Sequence, residues 1–334
     1  MYMLLDAMLG SKVAVKTLRT ILRRPYREWF LTELVREVGV GVGPLMKSLK
    51  ELVARGVTQE RIVGKQHFYK PNLENQVTRS LFDLFTMERR LQIPAKLRTA
   101  LEEFVTRLRT ESKENLLSVV LFGSVATGRA TPESDLDLLL IFNDSPKDDK
   151  EIRTQLDSVS GFYDTLAQEH IMTRNEFLEM YGYGDDLVAN ALANGIVLYD
   201  TGFLVPLLSK ALPLPSLRIA TQHLEEARRK IEDAKRNYRA GSLDTTIELL
   251  GLAASFAARA YLITKGELPG SRHDLVSQMR KYSVEFAALL DNVTKARNRA
   301  AHAKISIGKE PVWTMLKDCE RYVRQGYEES RRVS

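Results

Sequence analysis

The chain has 334 residues, a net charge of +6, a mean hydropathy of −0.23 and a pI of about 9.2. Its single cysteine, Cys319, excludes a scaffold of internal disulfide bonds, and the sequence shows no apolar run that approaches the length of a membrane span. This composition predicts a soluble, cytoplasmic protein with room for two or three domains, each able to bury a core.

The positive total conceals an uneven distribution of charge along the chain. The net charge is +9 over residues 1–110, −10 over residues 111–212 and +7 over residues 213–334. An acidic segment between two basic ones is difficult to reconcile with a single undivided domain, so the sequence predicts a multidomain α+β chain. The basic flanks indicate either nucleic-acid partners or solvated helix faces that are rich in arginine.

Residues 1–72 show a pattern of helices followed by strands. Apolar residues at helical and then alternating spacing predict three helices and a strand pair, over residues 13–22, 30–38, 44–55 and 57–69. Thr32 is the predicted N-cap of the second helix, and Pro44 stands where the third helix can start. Gly39 to Gly43 form a turn, and Gly64-Lys65 form the turn of the strand pair.

Three helices followed by a two-stranded wing resemble the winged helix-turn-helix family. The resemblance implies that the third helix enters the major groove of DNA and that the wing reaches the phosphates. The implied DNA contacts are Lys47, Ser48 and Lys50 on the outer face of that helix, and Arg61, Lys65 and His67 on the wing. Winged helices also dock proteins, so a protein-binding module remains an alternative in which the lysines are ordinary solvated residues.

Residues 73–110 are predicted to form a helical linker. Apolar residues share one helix face from Val77 to Phe85 and again from Leu97 to Leu108, and Pro94 interrupts the pattern between them. We expect this segment to act as a spacer that also packs on its neighbours.

The most informative segment of the chain predicts two buried strands joined by a polar turn. The first strand runs from Ser118 to Phe122, Gly123 ends it, and the second strand runs from Leu136 to Phe142. Two carboxylates and a Gly-Ser pair therefore stand at the adjoining ends of neighbouring strands.

Asp135 and Asp137 are two residues apart at the start of the second strand, so their side chains point the same way. Two neighbouring carboxylates are costly unless they share a cation, which indicates a divalent-metal site. Gly123 lets the backbone approach a phosphate closely, and Ser124 offers an N–H group and a hydroxyl to phosphate oxygens. The alternative is an acidic turn or a degenerate site without chemistry.

This Gly-Ser-x10-Asp-x-Asp arrangement resembles the minimal nucleotidyltransferases, a branch of the polymerase-beta-like superfamily, over residues 111–205. The resemblance implies a mixed sheet with helices, and Mg²⁺ or Mn²⁺ held by Asp135 and Asp137. It also implies transfer of a nucleoside monophosphate, AMP in the expected case, from a nucleoside triphosphate such as ATP.

A third carboxylate usually completes such a site from a neighbouring strand. The next strand is predicted from Leu166 to Met172, where Glu169 is the candidate catalytic and metal-binding residue. Asp164, just before that strand, is the alternative.

Residues 213–334 are predicted to be helical throughout, and they carry the string Arg297-Asn298-Arg299-Ala300-Ala301-His302. The order of the helices together with this string resembles the HEPN family. The resemblance implies an all-α bundle, a homodimer, and in many members a metal-independent endoribonuclease site at the dimer interface.

Carried onto this chain, the resemblance implies that His302 acts as general acid or base and that Arg297 holds the scissile phosphate. Asn298 would orient the pair, and Arg299 would contact phosphate or remain a solvated surface residue. The alternative is that Arg297 and His302 merely contact the carbonyl groups at a helix end, a position that favours basic side chains.

One departure from the HEPN pattern concerns the residue that receives a nucleotide. In many HEPN domains paired with a minimal nucleotidyltransferase, a tyrosine follows the histidine after one residue, whereas this chain has His302-Ala303-Lys304. The acceptor hydroxyl is therefore expected elsewhere, at Ser306 or on a different protein.

Three hypotheses of function follow from these patterns. The first is a Mg²⁺-dependent transferase that adenylylates a protein hydroxyl in a system of toxin–antitoxin type, and we take it as the principal one. The second is a HEPN endoribonuclease that the attached domain holds in check. The third is a DNA-binding regulator whose nucleotidyltransferase fold only senses a nucleotide.

Overall fold

The computed structural model describes residues 11–130, 135–146, 152, 154, 167–270, 272–302 and 308–333, with the backbone alone for residues 272, 273, 298, 300–302 and 333. The chain divides into two compact units. The first comprises residues 1–179 and 191–212, and the second comprises residues 180–190 and 213–334.

The first unit opens with three helices and a small sheet. The elements are α1 (Lys12–Arg23), β1 (Trp29–Phe30), α2 (Leu31–Val38), α3 (Val42–Ala54), β2 (Thr58–Val63) and β3 (Gln66–Pro71). The strands form an antiparallel sheet in the order β1-β3-β2. Gly64 has φ +61° in the two-residue turn between β2 and β3, which is the left-handed conformation that such a hairpin requires.

Local details of this region differ from the sequence prediction. Phe30, and not Thr32, occupies the N-cap of α2, because the Glu33 carboxylate reaches back and accepts a hydrogen bond from the Phe30 N–H at 3.2 Å. Helix α3 begins at Val42, two residues before Pro44. Strand β1 was not predicted, since two residues are too short to show alternation.

The predicted linker consists of two helices, α4 (Gln76–Arg90) and α5 (Ala95–Ser112), which are separated at Pro94. The Asn75 side chain caps α4 by accepting a hydrogen bond from the Val77 N–H at 2.8 Å. As the sequence predicts, helix α5 packs on its neighbours: its apolar face lies in the same core as the larger sheet of this unit. The α5 residues in that core are Leu97, Leu101, Phe104, Val105 and Leu108.

The larger sheet has four strands in the order β6-β5-β4-β7. They are β4 (Leu116–Phe122), β5 (Leu136–Phe142), β6 (Ala167–Thr173) and β7 (Ile196–Asp200). Strand β5 pairs parallel with β6, whereas β4 pairs antiparallel with both β5 and β7, so the sheet is mixed. The short helices in this part of the chain are α6 (Gly123–Thr127), α7 (Arg174–Gly182), α8 (Asp186–Asn194) and α9 (Val205–Leu208), and residues 180–190, from the end of α7 into α8, belong to the second unit.

The second unit is built from five further helices. They are α10 (Leu217–Arg239), α11 (Leu243–Thr264), α12 (Arg272–Met279), α13 (Val284–His302) and α14 (Lys309–Val333). One core joins them, and α11 contributes a row of small residues that lets neighbouring helices approach closely: Ala253, Ala254, Ala257 and Ala258.

Helix α11 is the one described helix that is long and apolar enough, by length and composition, to cross a membrane. The sequence prediction noted no run of this kind. More than half of its most apolar stretch is buried inside the protein, and its residues form much of the core of the second unit. The apolar composition of α11 is therefore accounted for by helix packing.

A buried ionic cluster centres on Asp186 in the second unit. Arg259 donates a hydrogen bond to the Asp186 carboxylate, and His223 Nε2 lies 3.4 Å from Asp186 Oδ1, an ion-pair distance without hydrogen-bond geometry. Burial alone would raise the pKa of Asp186, but contact with His223 and the charge of Arg259 outweigh burial and lower that pKa to about 2.

We expect Arg259→Met to destabilise the protein by about 3 kcal/mol at pH 7, because it leaves a buried carboxylate without its arginine partner. A lowered pKa stabilises the folded state above the ordinary pKa of 3.8, and this contribution disappears as the pH falls towards 2. The difference in urea-unfolding free energy between wild type and variant should therefore shrink between pH 4 and pH 2. The control is Arg229→Met, which removes an exposed pair with Glu226 and should cost less than about 1 kcal/mol.

Candidate functional site

The Gly-Ser turn holds a carboxylate directly against its backbone. Gly123 begins α6 with φ +72°, and a Cβ atom added to it would lie 1.9 Å from Asp137 Oδ2. Both the backbone conformation and this close approach require glycine. The Asp137 carboxylate therefore occupies space that any other residue at position 123 would fill.

Strand pairing explains how these residues come together. Phe122, the last residue of β4, lies directly opposite Asp137 on β5, so the two side chains are on the same face of the sheet. Asp137 is half-buried, and Asp135, immediately before the strand, is exposed. The two carboxylates thus stand where the sheet core meets solvent, a position that a cation and a nucleotide can reach.

Hydrogen bonds hold the turn that carries Ser124. The Ser124 carbonyl accepts the Arg129 N–H at 2.9 Å and the Thr127 hydroxyl at 3.1 Å. The Thr127 hydroxyl also lies 3.1 Å from the Gly123 carbonyl oxygen. Gly128, with φ +70°, ends α6. Ser124, the residue after Gly123, is partly exposed.

The register of β6 bears on the third carboxylate. Glu169 lies beside Leu138, whereas Gln168 lies beside Asp137. Because neighbouring side chains alternate between faces, Glu169 is on the face opposite to Asp137, and an amide occupies the adjacent position. Asp164 lies outside the described residues. Among the residues that are described, no group of three or more His, Cys, Asp or Glu side chains could hold a metal.

The same register brings His170 to the face that carries Asp137. Its ring contacts the Phe122 ring, with 5.5 Å between the centroids. Burial lowers the pKa of His170, although the nearby Glu169 charge opposes the effect. Sequence analysis missed both Gln168 and His170, because β6 shows no clear alternation that would assign its two faces.

The predicted DNA contacts on α3 are not all on one side of the helix. Lys47 and Lys50 are exposed, but Ser48 is only 6% exposed, so it does not lie on the outer face as predicted. Ser48 stands three residues after Leu45 and four before Leu52, both buried, which places it on the apolar face.

Two of the predicted wing contacts are engaged within the protein. The Arg61 guanidinium pairs with Glu28 and lies 4.5 Å from the centre of the Phe68 ring. His67 Nδ1 lies 2.8 Å from the Glu60 carboxylate. Lys65 is exposed in the turn between β2 and β3, where it is accessible to a partner.

The predicted ribonuclease residues lie near the end of α13. Arg297 Nη2 donates a hydrogen bond to Glu248 on α11 at 3.2 Å, and Arg299 is exposed. The side chains of Asn298 and His302 lie outside the description, as does Ser306. The described residues thus show Arg297 paired with a carboxylate, and its contact with His302 stays a prediction.

Comparison with known proteins identifies two families along the chain. The family described as nucleotidyltransferase domain matches residues 101–197, and the HEPN domain family matches residues 220–329. The protein named "Putative protein adenylyltransferase MJ1305", from Methanocaldococcus jannaschii, is 41% identical over 51 residues. That match spans 15% of this chain and 35% of the relative, so the chain covers about a third of the relative's length.

A solved structure is also similar, the nucleotidyltransferase-like protein from Exiguobacterium sibiricum 255-15. It is 14% identical to this chain, with a TM-score of 0.34, and the match covers 70% of this chain and 78% of the solved chain. The family matches and the geometry around Asp137 lead to one conclusion. The chain contains a nucleotidyltransferase domain over residues 101–197, followed by a HEPN domain over residues 220–329.

Proposed function

We propose that the protein transfers a nucleoside monophosphate, AMP from ATP in the expected case, to a hydroxyl group of a protein. The observation that carries this proposal is the contact between Asp137 and Gly123, which puts a carboxylate against a turn suited to phosphate. A carboxylate in that position would help to hold a divalent cation beside a bound triphosphate.

The side chains around Asp137 fit a hard divalent cation. Asp135 and Asp137 supply carboxylate oxygens, and Gln168, beside Asp137 on the same face, supplies an amide oxygen. These residues would hold Mg²⁺ or Mn²⁺, and the bound ion would neutralise negative charge on the phosphate groups. Oxygen ligands of this kind suit such cations better than they suit zinc or copper.

The chain's own groups contribute positioning and charge. In this proposal the Gly123 backbone and the Ser124 hydroxyl and N–H group would contact phosphate oxygens. The acceptor hydroxyl oxygen forms a bond to the α-phosphorus as the bond to the bridging oxygen breaks. Pyrophosphate leaves with that oxygen, and the hydroxyl proton passes to water.

Two observations support a protein as the acceptor. The relative from Methanocaldococcus jannaschii carries a name that includes protein adenylyltransferase, and a HEPN domain follows the transferase domain in this chain. The HEPN part, or a separate HEPN partner, is therefore the first target to test in a regulatory pair of toxin–antitoxin type.

The test is incubation of the purified protein with Mg²⁺ and ATP labelled on the α-phosphate or on the γ-phosphate. Label from the α-position should become protein-bound, whereas label from the γ-position should appear in pyrophosphate. Mass spectrometry of intact protein should show an added AMP. Absence of α-label on this chain and on any protein of a matched cell lysate would contradict the proposal.

A second function, DNA binding by the N-terminal part, is supported by three exposed lysines. Lys47 and Lys50 lie on α3, and Lys65 lies in the turn between β2 and β3. These are the positions from which a recognition helix and a wing contact phosphates.

We expect the double substitution Lys47→Gln and Lys50→Gln to reduce the slope of log K against log salt concentration by about 2 for duplex DNA, because each phosphate contact contributes about 0.9. Fluorescence anisotropy with a labelled duplex at several salt concentrations measures this slope. Lys210→Gln removes a charge from an exposed residue elsewhere and should leave the slope unchanged. Equal slopes for the double variant and wild type would exclude α3 from the DNA interface.

A further inference from the structure

A cavity of about 100 Å³ lies within the first unit, between α1, α4 and α6. The charged residues of its wall are Arg19, Arg23, Glu88 and Arg89, and apolar side chains surround them. The stretch from Val125 to Gly128 at the end of α6 forms one side. Asp135 and Asp137 are not among the described residues that line it, so this cavity is separate from the candidate metal site.

The wall carries three arginines and one glutamate, a net of two positive charges. Glu88 is 5% exposed and accepts two hydrogen bonds from Arg19, at 2.8 Å from Nε and 3.0 Å from Nη2. Across the described residues, neither Arg23 nor Arg89 forms an ion pair with a carboxylate. The Glu37 charge partly offsets that of Arg23 by raising its pKa, but neither guanidinium group has a carboxylate within ion-pair distance among the described residues.

The arginines also repel one another. Burial, together with the charges of Arg23 and Arg24, lowers the pKa of Arg89 to about 10, which still leaves it protonated at neutral pH. Burial and then the Arg24 and Arg129 charges lower the pKa of Arg23 as well. A ligand with negative charge would relieve both the desolvation and the repulsion, because it replaces lost water and offsets the excess charge.

Arg89 is held in place for such a ligand. Its Nη2 donates a hydrogen bond to the Asn194 carbonyl at 2.9 Å, which orients the planar guanidinium group. A guanidinium has five N–H donors in a rigid fork that matches the oxygens of phosphate, so donors remain for a ligand.

We propose that this cavity binds a small, multiply charged oxyanion of the phosphate class, either free pyrophosphate or the phosphate tail of a nucleotide. The volume of the cavity admits such a group, and the excess of arginine selects for more than one negative charge. Helix α6 runs from Gly123 to the cavity wall, so an anion bound there contacts the element that begins at the Gly-Ser turn. The proposal does not depend on nucleotidyl transfer.

The test is isothermal titration calorimetry of the full chain with sodium pyrophosphate, in EDTA and at ionic strength held constant with NaCl. Wild type should show saturable binding to one site. Arg23→Gln and Arg89→Gln should each weaken it about tenfold or more, since each removes charge-assisted hydrogen bonds. The control Arg36→Gln removes the same charge from an exposed position on α2 and should bind like wild type.

Two further titrations separate this site from the metal site and identify the source of the anion. The double variant Asp135→Ala, Asp137→Ala should retain pyrophosphate binding. Displacement of pyrophosphate by ATP without metal would identify the nucleotide tail as a ligand, and absence of displacement would identify the free anion.

Circular dichroism establishes that each variant is folded. If Arg89→Gln does not fold, the test relies on Arg23→Gln. Absence of saturable binding, unchanged binding in both arginine variants, or loss of binding in the aspartate variant would overturn the proposal.

Discussion

Asp137→Asn should lower the rate of nucleotidyl transfer roughly a thousandfold without altering the fold. Asparagine has the same shape and keeps the packing against Gly123, but it removes the charge that a divalent cation needs. Lewis-acid and charge stabilisation by a bound cation is worth several kcal/mol, and about 4 kcal/mol corresponds to this factor. The measurement is kcat/KM for transfer of α-labelled AMP at saturating Mg²⁺.

The matched control is Asp144→Asn, which makes the same change just after the far end of β5 at an exposed position. It should keep the rate within about twofold, as expected for a surface charge away from the reacting groups. Similar losses in both variants would show that general electrostatics, and not a defined metal site, sets the rate.

Glu169→Gln decides which residue is the third ligand. The register places Glu169 beside Leu138 and on the face away from Asp137, so this variant should keep the rate within a fewfold of wild type. If Glu169→Gln lowers the transfer rate as much as Asp137→Asn does, Glu169 is a ligand of the metal, contrary to the register of β6.

Gly123→Ala should destabilise the protein by about 2–5 kcal/mol and abolish transfer. A non-glycine residue in the left-handed region costs about 1–2 kcal/mol, and the overlap with Asp137 Oδ2 adds an overpacking cost of about 1–3 kcal/mol. The new methyl group also displaces the carboxylate, which moves the candidate metal site away from the turn. Urea unfolding and the transfer assay measure the two effects on one preparation.

Gly128→Ala separates backbone strain from the clash. Gly128 has nearly the same conformation, φ +70°, but no atom lies within 4 Å of an added Cβ. This variant should lose about 1–2 kcal/mol, the cost of the left-handed backbone alone. It should also retain most transfer activity. If the two variants are equally unstable and equally active, the contact between Gly123 and Asp137 contributes neither to stability nor to transfer.

Much of the secondary structure followed from local patterns. Strand β5 has the predicted bounds, Leu136 to Phe142, because continuous apolar residues between polar turns leave little choice for a buried strand. The hairpin turn at Gly64-Lys65 was also predictable, since a left-handed glycine between alternating segments is a local requirement.

Other features depended on contacts that sequence spacing does not encode. The sequence pattern predicts Ser48 on the outer face of α3, but Ser48 lies on the buried face together with Leu45 and Leu52. The N-cap of α2 is Phe30 and not the predicted Thr32. The Glu33 carboxylate accepts a hydrogen bond from the Phe30 N–H, a contact that the spacing of apolar residues does not reveal. The arginine-lined cavity combines residues from α1, α4 and α6, which are far apart in sequence.

The sequence by itself determined the core of the candidate site. The spacing of Asp135 and Asp137 sets their common direction, because side chains on an extended chain repeat every two residues. The tertiary structure decided what stands beside them. Strand pairing put Phe122 opposite Asp137 and Gln168 next to it, and turned Glu169 to the other face. A shift of one residue in the register of β6 would exchange these two side chains, and only the pairing of strands sets that register.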